Sequence, residues 1–212
     1  MLWSETLATF LDRLASADPT PGGGSVAALC GALAAALGSM VANLTRGKPQ
    51  YAAVESEMNA LLQKTEELRR TFTDLIETDM AAFAALTAAR QLPRASADEA
   101  RVRRERLQAA TRRATEVPLA VAELAARLVP VCERLAAIGN RNLLSDVGVA
   151  VTLAHASAES AAFNVLVNLP ALEDTTYQAD ARQRLETALA QVESTTASLM
   201  ASVKARLTYH HT

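Results

Sequence analysis

The sequence predicts an all-α protein, an up-and-down helical bundle of about seven helices, some long and partly kinked. Three observations carry this. Alanine supplies much of the apolar half of the 212 residues, and alanine is the best helix former. Aromatic residues make up only 4% and β-branched residues are thin, so little in the chain favours strands. Apolar residues recur at helical spacing along most of the chain. The length suits a single domain, 1–212, with one good-sized core.

Taken in order, residues 2–17 form an amphipathic helix with Leu7, Phe10, Leu11 and Leu14 on one face. Glu5 and Asp12 interrupt its apolar pattern and no basic region precedes it, which argues against a signal peptide. The second helix starts near Gly24 and ends at Arg46 and Gly47. The third runs from about Tyr51 to Gln91 and stops before "LPR". The fourth covers about 97–115, with Ser96 as N-cap. The fifth begins at Pro118, a favoured first helical position, is kinked by Pro130 and ends at Gly139. The sixth runs from about Ser145 to Asn168 and stops at Pro170. The seventh, about 175–207, is an amphipathic closing helix.

The formal charge of −2 provides no general attraction for nucleic acid or an anionic membrane, so neither is expected as a partner. The two cysteines, Cys30 and Cys132, lie far apart in apolar helical stretches without metal spacing, and read as buried free thiols of a cytoplasmic protein. "RVRRERLQAATRR", residues 101–113, holds six arginines against one glutamate. It reads as a solvated helix face, with a site for an acidic partner as the alternative.

The segment "PTPGGGSVAALCGALAAALGSMVANLT", residues 19–45, contains no charge. Gly24, Ala28, Gly31, Ala35, Gly38, Ala42 and Thr45 form a seam of small residues, and Leu29, Leu33, Leu37, Met40 and Leu44 a second stripe nearly opposite. A helix buried on both sides, inside a bundle, explains the missing charge. A membrane span is the rival reading, because small-residue seams also join membrane helices. "PGGGS" is not a phosphate-binding Walker loop, since Lys48 follows Gly47 without the required upstream glycine. Glycines before a helix nevertheless let a ligand approach free backbone N–H groups, and a simple tight turn accounts for them equally well.

In the third helix, Leu61, Leu68, Phe72, Leu75, Ile76, Phe83 and Leu86 form an apolar stripe with Asp79 at its centre, while Asp74 and Glu77 point away. An acid among apolar neighbours should have a raised pKa, which suits proton transfer near neutrality. A structural aspartate held by a neighbour's hydroxyl or amide is the alternative. The sixth helix carries Asp146, Ser157, Asn164 and Asn168 on one face, polar groups that need partners on a buried helix. Asp146 and Ser145 are also candidate cap residues. His155 and Glu159, four apart, suit a simple pair, and no third ligand completes a metal site.

The motifs "PTPGGGS", "GKPQY", "DMAAFAALTAARQLP", "GNRNLLSDVGVA" and "NVLVNL" occur in an order and at separations that resemble the cyclodeaminase/cyclohydrolase family. That family comprises the C-terminal half of bifunctional formimidoyltransferase-cyclodeaminase and free-standing bacterial proteins, and the likeness spans about Trp3 to Leu169. The resemblance implies a cytoplasmic helical homodimer that binds a tetrahydrofolate derivative, with or without a polyglutamate tail. It implies a folate one-carbon enzyme acting at the N5–N10 bridge. The reaction is either formimidotetrahydrofolate cyclodeamination with loss of ammonia, or methenyltetrahydrofolate hydrolysis to 10-formyltetrahydrofolate. It implies no metal and no cofactor beyond tetrahydrofolate as substrate.

The family's "D-x-x-AF" segment makes Asp79 the catalytic residue. By the same resemblance Gly22, Gly23, Gly24 and Ser25 approach the ligand by backbone, and Asn43, Asn140, Asn142, Asp146, Asn164 and Asn168 line the cleft and read the pterin edge. Lys48, Arg94 and the arginines of the fourth helix are candidates to hold a glutamate tail. Arg141 stands inside "GN-R-N", where a small or apolar residue is expected, which bears on substrate choice. The sequence has no formimidoyltransferase half, so substrate is not channelled from the same chain, which favours the cyclohydrolase reading. A non-catalytic folate-binding or scaffold dimer is the alternative function.

Overall fold

The computed structural model describes residues 6–208. Among these are six α-helices and no strand: α1 (Leu7–Leu14), α2 (Gly23–Asn43), α3 (Glu55–Gln91), α4 (Ala97–Ile138), α5 (Leu144–Asn168) and α6 (Thr175–Thr208), with 3₁₀ turns at Pro49–Val54, Arg141–Leu143 and Leu169–Ala171. The helices α2 to α6 alternate in direction. α4 runs through the middle and packs on α2, α3, α5 and α6. The first turn expected from Leu2 lies outside the described residues.

The packing of α2 on α3 follows directly from the small-residue seam. Gly31 lies against the ring of the fully buried Phe72, and Gly38 against Thr65 and Leu135. Gly24 lies against Asp79. These contacts advance seven residues at a time in opposite senses along the two helices, as left-handed antiparallel packing requires. Ser39 adds a buried hydrogen bond from its Oγ to Thr65 Oγ1, 2.9 Å long. Every residue of the seam from Gly24 to Thr45 is buried. The opposite stripe is not: Leu33 is 48% exposed, Leu44 is also exposed, and Leu29, Leu37 and Met40 are half-buried. Burial of α2 on both sides is therefore corrected to burial on one. Its length and composition would suffice for a membrane span, yet most of that apolar window is packed inside the bundle.

The expected fourth and fifth helices are one helix, α4, which carries both Pro118 and Pro130 in its interior. A proline removes the N–H that would reach the carbonyl four residues back. Here side-chain amides from neighbouring helices take over. Asn168 Nδ2 donates to the Ala114 carbonyl at 3.0 Å, four residues before Pro118. Gln191 Nε2 donates to the Ala126 carbonyl at 3.1 Å, four residues before Pro130. The helix continues because its orphaned acceptors are satisfied from outside. Ser96 begins α4 as expected, in a reciprocal capping box with Glu99.

Other expectations need adjustment. α1 buries only Phe10 fully, and Leu7 and Leu11 are exposed. In α3, Leu68, Phe72, Ile76 and Leu86 are buried as the stripe requires, whereas Phe83 is exposed. Cys132 is buried, and burial pushes its thiol up to about 12, but Cys30 is half-exposed on the outer face of α2. His155 pairs with Glu193 of α6 at 2.9 Å rather than with Glu159. Most of the arginine stretch is engaged on the surface: Arg104 binds Glu173 bidentately, Arg101 pairs with Glu105, and Arg112 reaches Asp174 and covers the Tyr177 ring.

A Cβ at position 31 would collide with the Phe72 ring. Gly31→Leu is therefore expected to destabilise the protein by about 1–3 kcal/mol or more through overpacking. Denaturant unfolding measures this, and an unchanged midpoint would contradict the tight α2–α3 seam.

Candidate active site

Helix α2 starts without a side-chain cap of its own. Its N-cap is Gly22, and the chain enters through consecutive glycines. The missing acceptor arrives from α3. Ser25 Oγ donates to Asp79 Oδ2 at 2.8 Å, and the Ser25 backbone N–H also donates to this carboxylate. Asp79 thus occupies the positive end of α2, where an anion is stabilised by free N–H groups. It can do so only because residue 24 is glycine: a Cβ there would collide with the carboxylate.

Burial pushes the Asp79 carboxyl above the usual aspartate range, while the two Ser25 donors pull it back down. Burial wins, so the group holds its proton to higher pH than an exposed aspartate. The carboxylate opens into a cavity of about 260 Å³. Its walls are Asp79, Ala82, Phe83, Leu86 and Arg90 of α3, Thr111 and Ala114 of α4, and Asn164, Val167, Asn168 and Ala171 from the end of α5 and the turn after it. Three larger grooves, of about 520, 460 and 310 Å³, flank α4 elsewhere; none contains Asp79.

The fold brings together Gly22, Gly23, Gly24, Ser25, Asp79, Asn164 and Asn168. The side chain of Asn164 lies beside Gly23, and its Nδ2 donates to the Ser160 carbonyl at 2.9 Å. Asn168 lines the cavity while its Nδ2 supports α4. Ser157, on the same face of α5, is structural: its Oγ donates to the Ala27 carbonyl at 2.7 Å and ties α5 to α2.

The remaining residues sit at the opposite end of α2, about 28 Å away by helical rise. Asn43 is exposed there, with Arg46 bound to its Oδ1. Asn140 is buried; its backbone N–H donates to Thr45 Oγ1 at 2.9 Å and its Nδ2 to the Leu44 carbonyl at 3.3 Å. Its Oδ1 accepts from the Asn142 N–H at 3.2 Å. Arg141 is exposed and donates its N–H to the Tyr51 hydroxyl. Asp146 lies in the first turn of α5, favourable to the helix dipole, but neither it nor Ser145 is the cap, since a 3₁₀ turn leads into this helix. Lys48 belongs to this far end, just after Gly47, and Arg94 to the α3–α4 loop. The described residues contain no cluster of acids, histidines and cysteines suited to a metal ion.

Phe83, expected in the core, lines the cavity, as do Arg90, Thr111 and Val167, which are not among the expected site residues. Arg90 follows Asp79 by eleven residues, about three turns, and so shares its face; helical periodicity alone would have found it.

The sign of the Asp79 shift leads to a stability test. Its carboxyl is raised by burial, so ionisation costs the folded state more than the unfolded chain. Asp79→Asn is expected to unfold at a higher temperature than wild type at neutral pH. That advantage should shrink as the pH falls towards the ordinary aspartate range, because the wild-type acid then becomes neutral. Thermal unfolding followed from neutral pH down into the ordinary aspartate range measures it.

The chain matches the formiminotransferase-cyclodeaminase family over residues 6–187. It is 42% identical over 207 residues to the methenyltetrahydrofolate cyclohydrolase of Methylorubrum extorquens, covering 98% of this chain and 100% of that protein. It is 35% identical over 205 residues to the formimidoyltransferase-cyclodeaminase of Rattus norvegicus, where it spans 97% of this chain and 38% of the longer protein. The crystal structure of formiminotetrahydrofolate cyclodeaminase from Thermotoga maritima superposes with a TM-score of 0.88 at 35% identity, covering 98% of this chain and 100% of that one. A helical bundle of this kind, with a match along most of its length, makes this chain a member of the formiminotransferase-cyclodeaminase family.

Proposed function

We propose that this protein, acting as one domain in the cytoplasm, hydrolyses the one-carbon bridge of 5,10-methenyltetrahydrofolate, with or without a polyglutamate tail. The observation that carries the proposal is Asp79: a carboxyl of raised pKa on a helix N-terminus, opening into a cavity of about 260 Å³. Full-length similarity to a methenyltetrahydrofolate cyclohydrolase supports hydrolysis over ammonia release. Cyclodeamination is the second reading, supported by the Thermotoga structure.

The chemistry needs one proton shuttle. Asp79 in its ionised form takes a proton from water as the oxygen adds to the methenyl carbon. The tetrahedral carbon between N5 and N10 then breaks its bond to N5. Asp79 returns its proton to N5, the carbinol proton leaves to solvent, and 10-formyltetrahydrofolate results. The carboxylate also stabilises the cationic bridge before attack. In the cyclodeaminase direction the same group would accept the N10 proton and deliver one to the departing ammonia. Either reaction proceeds without a redox cofactor.

The homodimer belongs to this proposal. α2 and α5 lie side by side, and their outward stripes carry Leu33, Leu44, Val149, Phe163 at 71% exposure and Val167 at 73% exposure. Such an apolar face on a water-soluble bundle suits a second copy. A two-fold axis across the middle of α2 would set the two copies of α2 antiparallel. Asn43, Asn140, Asn142 and Asp146 of the partner subunit would then approach Asp79, and the two halves of the polar set would meet around the pterin.

Absorbance of the methenyl chromophore tests the activity, with methenyltetrahydrofolate and formimidotetrahydrofolate supplied separately. Loss of the chromophore in the first assay is expected, and inertness towards both substrates would refute the proposal. Asp79→Asn should lower kcat by about 10²–10⁴-fold with the helical fold intact. Rate should fall as pH drops through the raised Asp79 pKa. Ser25→Ala, by removing a donor to the carboxylate, should move that acid limb to higher pH. Phe163→Glu should give monomers in sedimentation and lose turnover; active monomers would exclude a site shared between subunits.

A further inference from the structure

The cavity in front of Asp79 has a chemical order along its length. Asp79 and Asn164 stand at the α2 end, beside Gly24 and Gly23. Ala82, Phe83, Leu86 and Val167 supply apolar wall between, alongside the polar side chains of Thr111 and Asn168, and Arg90 lies further along the α3 wall. Eleven residues of helix separate the α-carbons of Asp79 and Arg90 by about 16 Å. The Arg90 guanidinium makes no ion pair with any described carboxylate. Its backbone is occupied differently: Arg103 Nη2 donates to the Arg90 carbonyl at 3.1 Å. The other arginines nearby are spent or face elsewhere. Arg104 and Arg112 are paired with Glu173 and Asp174, and Arg106 and Arg113 line the neighbouring alanine-floored groove of about 520 Å³.

We infer that Arg90 is the residue that selects for the glutamyl end of the substrate, binding its carboxylate while the aryl ring lies across Phe83, Leu86 and Val167. This rests on the folate reading above and assigns a role within the same cavity. A folate carries its reactive bridge, an aryl ring, an amide and then carboxylates, in that order. Along α3 the cavity wall offers an acid, the apolar side chains of Ala82, Phe83 and Leu86, and a cation in the same order. An aryl ring, an amide and the extended arginine side chain together bridge the helical span between Asp79 and Arg90. Guanidinium is suited to the far end because it presents a planar, permanently charged donor fork to a carboxylate.

The test compares 5,10-methenyltetrahydrofolate with 5,10-methenyltetrahydropteroate, which has the same bridge and ring but no glutamyl group. Wild type should prefer the glutamyl substrate by about tenfold in KM, equivalent to one charge-assisted contact. Arg90→Ala should reduce that preference to about twofold or less, and Arg90→Lys should keep an intermediate preference because the charge remains. The Arg103 bond to the backbone carbonyl survives both changes, and circular dichroism verifies the fold. Arg113→Ala, in the neighbouring groove, serves as the charge control and should retain the wild-type preference. The inference is overturned if Arg90→Ala keeps the full preference, if wild type has none, or if Arg113→Ala loses as much as Arg90→Ala. Wild type that converts neither compound would instead remove the cyclohydrolase reading, a separate outcome, and the same comparison is then made with formimidotetrahydrofolate and its pteroate analogue.

Discussion

The close approach of α2 to α3 governs this molecule. Glycines at positions 24, 31 and 38 meet Asp79, Phe72 and Thr65 at successive seven-residue steps. At two of the three steps this is ordinary core packing, a ring and a methyl group filling the space left by absent side chains. At the third the same geometry holds a carboxylate. This acid is therefore positioned by the interaction that makes the core, and its placement depends on backbone that lacks a Cβ. A larger residue at position 24 would not merely crowd the site; it would displace the acid from the helix terminus it caps.

Two opposing effects act on Asp79. Removal from water favours the neutral form, and the N–H and hydroxyl of Ser25 favour the anion. The balance leaves the acid raised above the ordinary aspartate range, which suits the proton transfers proposed for it. The structural and chemical roles of this residue are one arrangement. Asp79 supplies α2 with the cap that Gly22 cannot, and α2 supplies Asp79 with the donors that keep its anion accessible.

Side-chain amides do comparable work elsewhere. Asn168 and Gln191 repair the two hydrogen bonds that Pro118 and Pro130 remove, so that α4 passes unbroken through the centre of the bundle. Asn168 does this at the cavity wall, which links the integrity of α4 to the shape of the site. The outward stripes of α2 and α5 have no such partner among the described residues. Their apolar residues remain open beside the cavity, with polar groups gathered at both ends of the two helices.

The all-α class, the small-residue seam and the position of Asp79 on its stripe could be read from residue spacing, because helical periodicity is local and needs no knowledge of neighbours. The motif order was equally legible and led to the family. Tertiary structure alone decided which of two opposite α2 faces is covered, since both are apolar and only packing distinguishes them. It decided that Pro118 lies within a helix rather than at its start, because the compensating donor, Asn168, comes from 50 residues further along the chain. It also separated the asparagines into two groups at opposite ends of α2. Sequence assigns a residue to a face of its own helix, but the distance between residues on different helices is set by how those helices are stacked.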